Sequence, residues 1–355
     1  MAKKVGIILI NYKDYAEHFL ANCRDSLRGQ DYPREDWRVF IIDNASTPDS
    51  AHFLQESFPE AKILPRSDGN YCAANNLGFK KAIESGCDYV VTVNMDTEAH
   101  PAWLSELVKA LDNNPEAAIA QSKVYLYPKN EEDKKLPRLN TLGNMIHYLG
   151  YGLTSYYNEV DRQIEGYPEI SGYASGCSFI MRPEIWVAIG GYNEEFYMYH
   201  DDIELSLKVH LLGKKIILAP ESKIFHKYEF NRSIKMLYYL ERNRWLTILS
   251  FYPVKFIVLL FPIILFMQFG SLIYSISHGY LGTLLKIWQY FLRPSSYIKI
   301  INNRRQLKRL TVVPFRNIAK EFQGRILFQE IANPVLIYFV NPILAAYWQL
   351  VKKII

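Results

Sequence analysis

VGIILINY at residues 5–12, VFIIDN at 39–44 and YVVTVNMD at 89–96 share one design. Each opens with a largely apolar run, Val5–Ile10, Val39–Ile42 and Tyr89–Val93, and each run is followed at once by Asn or Asp. Runs this short and this apolar predict strands buried on both faces, as in a parallel sheet covered by helices. The segments between and after them carry helical periodicity at Tyr15–Gln30, Asp49–Ser57, Cys72–Ser85 and Pro101–Asn113, with Pro101 suited to a first turn. Strand and helix thus alternate, which predicts an α/β fold with a Rossmann-like sheet flanked by helices. Such sheets bind ligands beyond the carboxyl ends of their strands. The residues expected there are Asn11-Tyr12, Asp43-Asn44-Ala45-Ser46 and Asn94-Met95-Asp96-Thr97.

An acidic residue at a strand end, Asp96, can hold a divalent cation that bridges and neutralises a nucleotide diphosphate. Asn94, two residues earlier in an extended loop, faces the same side and can hydrogen-bond nearby. The pattern loosens over 118–169, where a charged stretch at 129–138 suggests loops and short strands. It returns as a strand over Gly172–Arg182, a short helix over Pro183–Gly190, and a turn at Gly190-Gly191-Tyr192-Asn193. Asp201-Asp202-Ile203-Glu204 then opens an amphipathic helix running to Leu212, followed by strands Ile216–Ala219 and Lys223–His226. Carboxylates at a helix N-terminus are favoured by the macrodipole. A carboxylate so placed can also take the proton from an attacking sugar hydroxyl, and direct displacement by that hydroxyl inverts the anomeric centre. His226, ending a strand, makes a second ligand beside Asp96, because imidazole suits Mn²⁺ better than Mg²⁺.

Four stretches together carry a family resemblance: VGIILINYKDYAEHFLANCRDSLRGQDYP, VFIIDNASTPDS, YCAANNLGFKKAIESGCDYVVTVNMDT and SGCSFIMRPEIWVAIGGYNEEFYMYHDDIELSLKVHLLGKKIILAPESKIFH. They resemble the family-2 glycosyltransferases over residues 4–245, and within that family the rhamnosyltransferase and galactofuranosyltransferase branch. The resemblance implies a GT-A fold, a nucleotide-diphosphate-sugar donor, Mn²⁺ or Mg²⁺, and inversion. It implies that Asn11 and Asp43 meet the nucleotide base, with Asn75 near base or ribose; Asn44, adjoining Asp43, is a further nucleotide-sugar candidate. Asn94 and Asp96 match the DxD-type motif, His226 the metal-completing histidine, and Asp202 the catalytic base, leaving Asp201 to support it or to bind acceptor. Three departures stand out: Asn94 where Asp is usual, Asp68-Gly69-Asn70 in place of Asn-x-Gly, and Asp-Asp-x-Glu in place of Glu-Asp-x-Asp. Glu204 and the Glu241-Arg242-Asn243-Arg244-Trp245 element add weaker candidates. The latter resembles the Gln-x-x-Arg-Trp of processive relatives, so that Arg242 or Arg244 would bind a diphosphate; a basic helix surface is the plainer reading.

The chain has 355 residues, 49% apolar and 22% charged, with a net charge of +5. It divides by expectation into a catalytic domain at 1–245 and a helical membrane-associating region at 246–355. The charge is mild and no nucleic-acid motif accompanies it. Cys23, Cys72, Cys87 and Cys177 form no CxxC pair, which fits a reducing compartment, and the N-terminal apolar run is too short for a signal peptide. Phe256–Ser277 carries no charge and is long enough, at about 33 Å as a helix, to cross a bilayer. Pro262 and Gly270 interrupt it, and the stretch that follows is rich in Lys and Arg from Lys286 to Arg325, which opposes export of that segment. A helical hairpin or interfacial helices against anionic lipids on the cytoplasmic face are therefore expected ahead of a single span, with Pro334–Val351 a further contact; a buried helical subdomain or an oligomer interface is the plainer reading. A polyprenyl-diphosphate-linked acceptor follows, and dTDP-rhamnose, then UDP-sugars such as UDP-galactofuranose, lead as donors; an oligomer is compatible. A nucleotidyltransferase would need a Gly-rich, basic phosphate loop after the first strand, and Asn11-Tyr12-Lys13-Asp14 is not one. A dehydrogenase would need GxGxxG. An inactive membrane scaffold would not keep Asp96, Asp202 and His226 together.

Overall fold

The computed structural model describes residues 2–228, 236–327 and 333–355. Two compact units emerge: residues 1–144, 154–209 and 214–228 form one, and 145–153, 210–213 and 229–355 the other.

The first unit is built on a nine-stranded mixed sheet. Its first half is the expected alternation: β1 (Val5–Tyr12), α1 (Tyr15–Arg28), β2 (Trp37–Asn44), α2 (Pro48–Ser57), β3 (Lys62–Arg66), α3 (Tyr71–Glu84) and β4 (Tyr89–Val93). β1, β2, β3 and β4 run parallel in the order β3-β2-β1-β4. The interiors of β1, β2 and β4 are buried on both faces, which accounts for their continuous apolar runs. Thr47 caps α2 with a reciprocal bond to Ser50, and Pro48 occupies the first turn. Gly78 on α3 lets the helix lie against the sheet, since a Cβ there would come within 2.7 Å of Ile8.

The second half contains the stretch that sequence periodicity leaves loose. β5 (Thr97–Ala99), α4 (Trp103–Asn113) and β6 (Ala117–Leu126) lead into a short α5 (Glu131–Lys135) and β7 (Leu139–Thr141), and β8 (Asn144–Ile146) pairs with β9 (Gly152–Thr154). β10 (Ser178–Met181) and α6 (Pro183–Ile189) precede α7 (Asp201–Leu211) and β11 (Lys215–His226). The strand expected over Gly172–Arg182 is therefore only four residues long. The two strands expected at Ile216–Ala219 and Lys223–His226 are one strand, with a register shift against β6 between Ala219 and Lys223. β10 is antiparallel to both β4 and β6, β11 is parallel to β6, and β5 closes the row antiparallel to β11.

The described helices of the second unit include α8 (Leu237–Phe251), α9 (Val254–Ser277), α10 (Leu281–Leu292), α11 (Pro294–Leu310), α12 (Phe315–Ala319) and α13 (Asn341–Lys352). Residues 229–235, part of the stretch resembling the family, lie outside the described residues. The domain boundary expected at residue 245 falls inside α8, which is one uninterrupted helix. Tyr148 joins this unit by stacking on Trp348 at 4.9 Å and donating its hydroxyl to the Leu344 carbonyl. Pro262 and Gly270 do not interrupt α9 as expected. The helix runs through both for 24 residues, and Leu260, Ile263 and Ile264 pack one side of it. By length and composition alone α9 could cross a membrane, and its most apolar window is only 22% buried.

Candidate active site

β1 and β2 run further than their apolar stretches, so Asn11 and Asp43 are register partners inside the sheet rather than loop residues beyond it. Both are fully buried. The Asn11 amide donates to Asp43 Oδ1 at 2.8 Å and to the Lys13 carbonyl at 3.0 Å, while its oxygen accepts the Ala16 N–H. Asp43 Oδ2 accepts the hydroxyls of Ser46 and Ser50 at 2.6 and 2.7 Å. The pair thus braces the two turns at the carboxyl ends of β1 and β2, one with Lys13 and the other with Ala45 at positive φ. Asn44 is buried alongside, its side-chain oxygen without a hydrogen-bond partner among the described residues. Asn75 lies inside α3, donating to the Tyr71 carbonyl and accepting from Thr92, so that it ties α3 to β4.

The metal candidates, 130 positions apart, are brought together by strand pairing. β11 ends with His226 opposite Thr97, and the Lys227 N–H donates to the Asp96 carbonyl. His226 Nε2 stands 3.3 Å from Asp96 Oδ1, and both residues are buried. Two ligand atoms each about 2.1 Å from one octahedral ion lie about 3 Å apart at adjacent vertices, so this separation fits a shared cation. His226 Nδ1 is 3.1 Å from Asn140 Oδ1; a proton on Nδ1 donated to that oxygen leaves the Nε2 lone pair for a metal. Burial opposes protonation of His226, but the Cys177 sulfur and the Asp96 carboxylate outweigh it and hold its pKa well above the ordinary value. Among the described residues no cluster of three or more His, Cys, Asp or Glu could hold a metal alone. Phosphate oxygens and water would therefore have to complete the shell, as is usual for Mg²⁺ at nucleotide sites.

Asp201 and Asp202 open α7 as expected, and they differ in exposure. Asp201 and Glu204 are buried, whereas Asp202 is partly exposed. Desolvation pushes Asp201 up to about 8, with the Asp202 charge adding to it. Desolvation also raises Asp202, to about 6, against backbone N–H donors of Ile203 and Gly176 that favour its ionised form. Around neutrality the accessible carboxylate is therefore the ionised one. Glu204 is committed elsewhere: it pairs with Lys208 at 2.6 Å, and Lys208 also donates to the Gly191 carbonyl. The approach to Asp201 is strained, because Tyr197, Tyr199 and His200 all have positive φ. Bonds from α3 hold the segment before it: Cys72 N–H donates to the Tyr197 carbonyl, Asn70 to the Glu194 carbonyl, and Asn76 to the Tyr192 carbonyl. Gly69 makes room for this packing, at φ +70° with a hypothetical Cβ 2.6 Å from the Tyr197 hydroxyl.

One irregular segment, Ser175-Gly176-Cys177, borders both halves of the site. The Cys177 carbonyl accepts the Asn94 N–H, and Gly176 abuts Asp202, its hypothetical Cβ 3.8 Å from the Asp202 Cβ. Tyr71 spans them as well: its hydroxyl reaches Asn94 Oδ1 at 3.4 Å, and burial together with the charges of Asp201 and Asp202 raises its pKa. Asn94, Asp96, His226, Asp201 and Asp202 therefore converge on the ends of β4, β10, β11 and α7. Tyr71, Gly176, Cys177 and Asn140 escaped sequence reasoning, because nothing in spacing or composition distinguishes them from packing residues.

Arg242 and Arg244 belong to the second unit, and neither lies on the basic helix surface offered as the plainer reading. Both are buried. Arg244 is clamped by Glu241 at 2.5 and 2.8 Å and by the Leu149 carbonyl at 2.7 Å, and Arg242 packs over Tyr238, Tyr239 and Tyr290 while bonding Asn243. The aromatic and acidic neighbours on α8 and α10 turn them inward.

Residues 6–186 match the family model described as Glycosyl transferase family 2. The chain is 26% identical over 262 residues to the O-antigen biosynthesis protein RfbC of Myxococcus xanthus, covering 70% of this chain and 19% of that protein. It is 22% identical over 215 residues to N-acetylglucosaminyl-diphospho-decaprenol L-rhamnosyltransferase of Mycobacterium tuberculosis, covering 53% of this chain and 66% of that protein. Among solved structures, GalNAc-T7 with UDP, GalNAc and Mn²⁺ superposes with a TM-score of 0.52 at 13% identity, covering 64% of this chain and 44% of that one, a likeness of fold.

Proposed function

The chain belongs to glycosyl transferase family 2, and from that premise we propose that it is an inverting glycosyltransferase building a cell-surface glycan on a lipid-linked acceptor. One observation carries the reading: a partly exposed carboxylate with a raised pKa, Asp202, shares the segment 175–177 with the strand-end residues Asn94, Asp96 and His226. The relatives in Myxococcus and Mycobacterium, by their names, act in O-antigen synthesis and rhamnosyl transfer to a diphospho-decaprenol, which favours dTDP-rhamnose ahead of UDP-sugars as donor. Family membership displaces the nucleotidyltransferase alternative.

In the proposed reaction Asp202 accepts the proton of an acceptor hydroxyl as its oxygen bonds to the anomeric carbon. The bond from that carbon to the donor diphosphate breaks on the opposite face, and the nucleoside diphosphate departs with the electron pair. Asp201, protonated at neutrality, adds no second charge beside the base. Asp96 and His226 would hold Mn²⁺ or Mg²⁺, which when bound neutralises charge on the leaving diphosphate. Asn94 turns a neutral amide to the donor where an acid is usual, and Asn11, Asp43, Asn44 and Asn75 support the nucleotide end of the site from the strand ends and α3.

The apolar surface of the second unit favours membrane contact, and the Lys- and Arg-rich stretch from Lys286 to Arg325 favours the cytoplasmic face. Val258, Phe261, Leu265, Phe269, Ile273 and Ile276 are all more than half exposed on α9, an apolar surface that water disfavours. The test is a donor panel with Mn²⁺, scoring transfer and donor hydrolysis by wild type and Asp202→Asn. Transfer from one donor, lost in the variant while nucleotide affinity is kept, is expected; undiminished transfer by Asp202→Asn would remove Asp202 as base.

A further inference from the structure

The second unit holds a groove of about 660 Å³ between the end of α8 and α11, floored by Phe251, Leu307 and Phe315 and edged by Arg304, Arg305 and Lys308. Among the described residues no acidic side chain lines it. Arg304 donates to the Leu249 and Tyr252 carbonyls at 2.6 and 2.9 Å and has no carboxylate partner among the described residues. Burial lowers its pKa, the mark of a positive charge without a counter-ion. Arg305 and Lys308 are exposed one helical turn apart on the same edge.

We propose that this groove binds the diphosphate head and the first apolar units of a long-chain lipid diphosphate. Three cations over an apolar floor suit a head bearing two negative charges followed directly by hydrocarbon, whereas a phosphodiester headgroup carries one charge and a polar substituent. The proposal rests on the reading of the acceptor as lipid-linked and supplies the diphosphate contact that the inward-facing Arg242 and Arg244 do not offer. It also gives α11 a role distinct from a diffuse basic surface.

The test uses the full chain and Arg305→Glu/Lys308→Glu, both at exposed positions, with nucleotide-diphosphate affinity reporting the fold of the variant. Flotation compares phosphatidylcholine vesicles carrying polyprenyl diphosphate with vesicles brought to the same charge by phosphatidylglycerol. Wild type is expected to prefer the lipid diphosphate. The variant should lose that preference and show a higher KM for lipid-linked acceptor, by about fivefold per cation. Equal binding to both vesicle types, or a variant that keeps the wild-type preference and KM, overturns the groove. The two readings fail separately. Absence of transfer by wild type to any lipid-linked acceptor, with vesicle preference intact, removes the acceptor reading and leaves the groove; normal transfer with an unchanged KM in the variant does the reverse.

Discussion

Lowering the pH from neutrality to about 5 should cost this enzyme most of its activity, and the size of the loss follows from where Asp202 sits. Burial at the head of α7 raises its pKa from 3.8 to about 6, the N–H donors of Ile203 and Gly176 offsetting part of the cost. A base works only when deprotonated. With a pKa near 6 about nine-tenths of Asp202 is ionised at pH 7 and about one-tenth at pH 5, so kcat/KM should fall roughly tenfold across that interval. An unperturbed carboxylate would stay more than about 90% ionised at pH 5 and give a flat profile. Asp202→Asn removes the proposed base and should lower kcat by about 10²–10⁴-fold at pH 7 and above, with the gap to wild type narrowing as the pH falls. It should also raise the melting temperature at pH 8. A carboxylate whose folded pKa exceeds its unfolded value destabilises the fold as pH rises from the unfolded to the folded pKa, and the amide lacks that penalty. The assay is initial-rate transfer at saturating metal across pH 4.5–8.5, paired with thermal melts. A rate that stays flat down to pH 4.5, or an Asp202→Asn enzyme that is inactive because it melts earlier, would refute the reasoning.

Three further expectations concern other parts of the molecule. Asn140→Leu removes the partner of His226 Nδ1 and should raise the Mn²⁺ concentration for half-maximal activity by about tenfold or more, read from a metal titration, with kcat at saturating metal less affected. Lys208→Met leaves Glu204 buried without its cation and should destabilise the fold by about 3–5 kcal/mol, measured by urea unfolding; Glu204→Gln/Lys208→Met should recover much of that loss. Phe261→Asp/Leu265→Asp on the exposed side of α9 should reduce flotation with vesicles, and undiminished flotation would exclude α9 as the contact.

Much of the first half of the sheet was legible because β1, β2 and β4 are buried on both faces, and such strands write themselves as apolar runs. β3 went unseen. Its pattern, KILPR, is half-exposed at the sheet edge and includes a proline. β6, buried along nearly its whole length, was hidden by Ala, Gln, Ser and Lys at buried positions: Gln121 and Lys123 are satisfied by bonds to Ser175 and Arg162 that no local pattern announces. The break expected at Pro262 was wrong because proline costs a helix one hydrogen bond and a steric adjustment, and packing of the neighbouring residues sustains the helix through it.

Sequence alone determined the class of fold, the strand-end location of Asp96, and the acidic head of α7, because each is written in residues adjacent along the chain. Tertiary structure decided the rest. That His226 faces Asp96 across 3.3 Å depends on β11 lying between β6 and β5, a topology set by cooperative packing of the whole sheet. That Asp202 rather than Asp201 is the reachable, ionised carboxylate depends on burial and mutual charge, which are properties of the folded interior. The resemblance assigns Asn11 and Asp43 to the nucleotide, and what the fold adds is that they also hydrogen-bond one another and the turns that follow them. A polar residue's partners are assigned by the backbone and side chains that three dimensions bring to it, and a sequence supplies only the candidates.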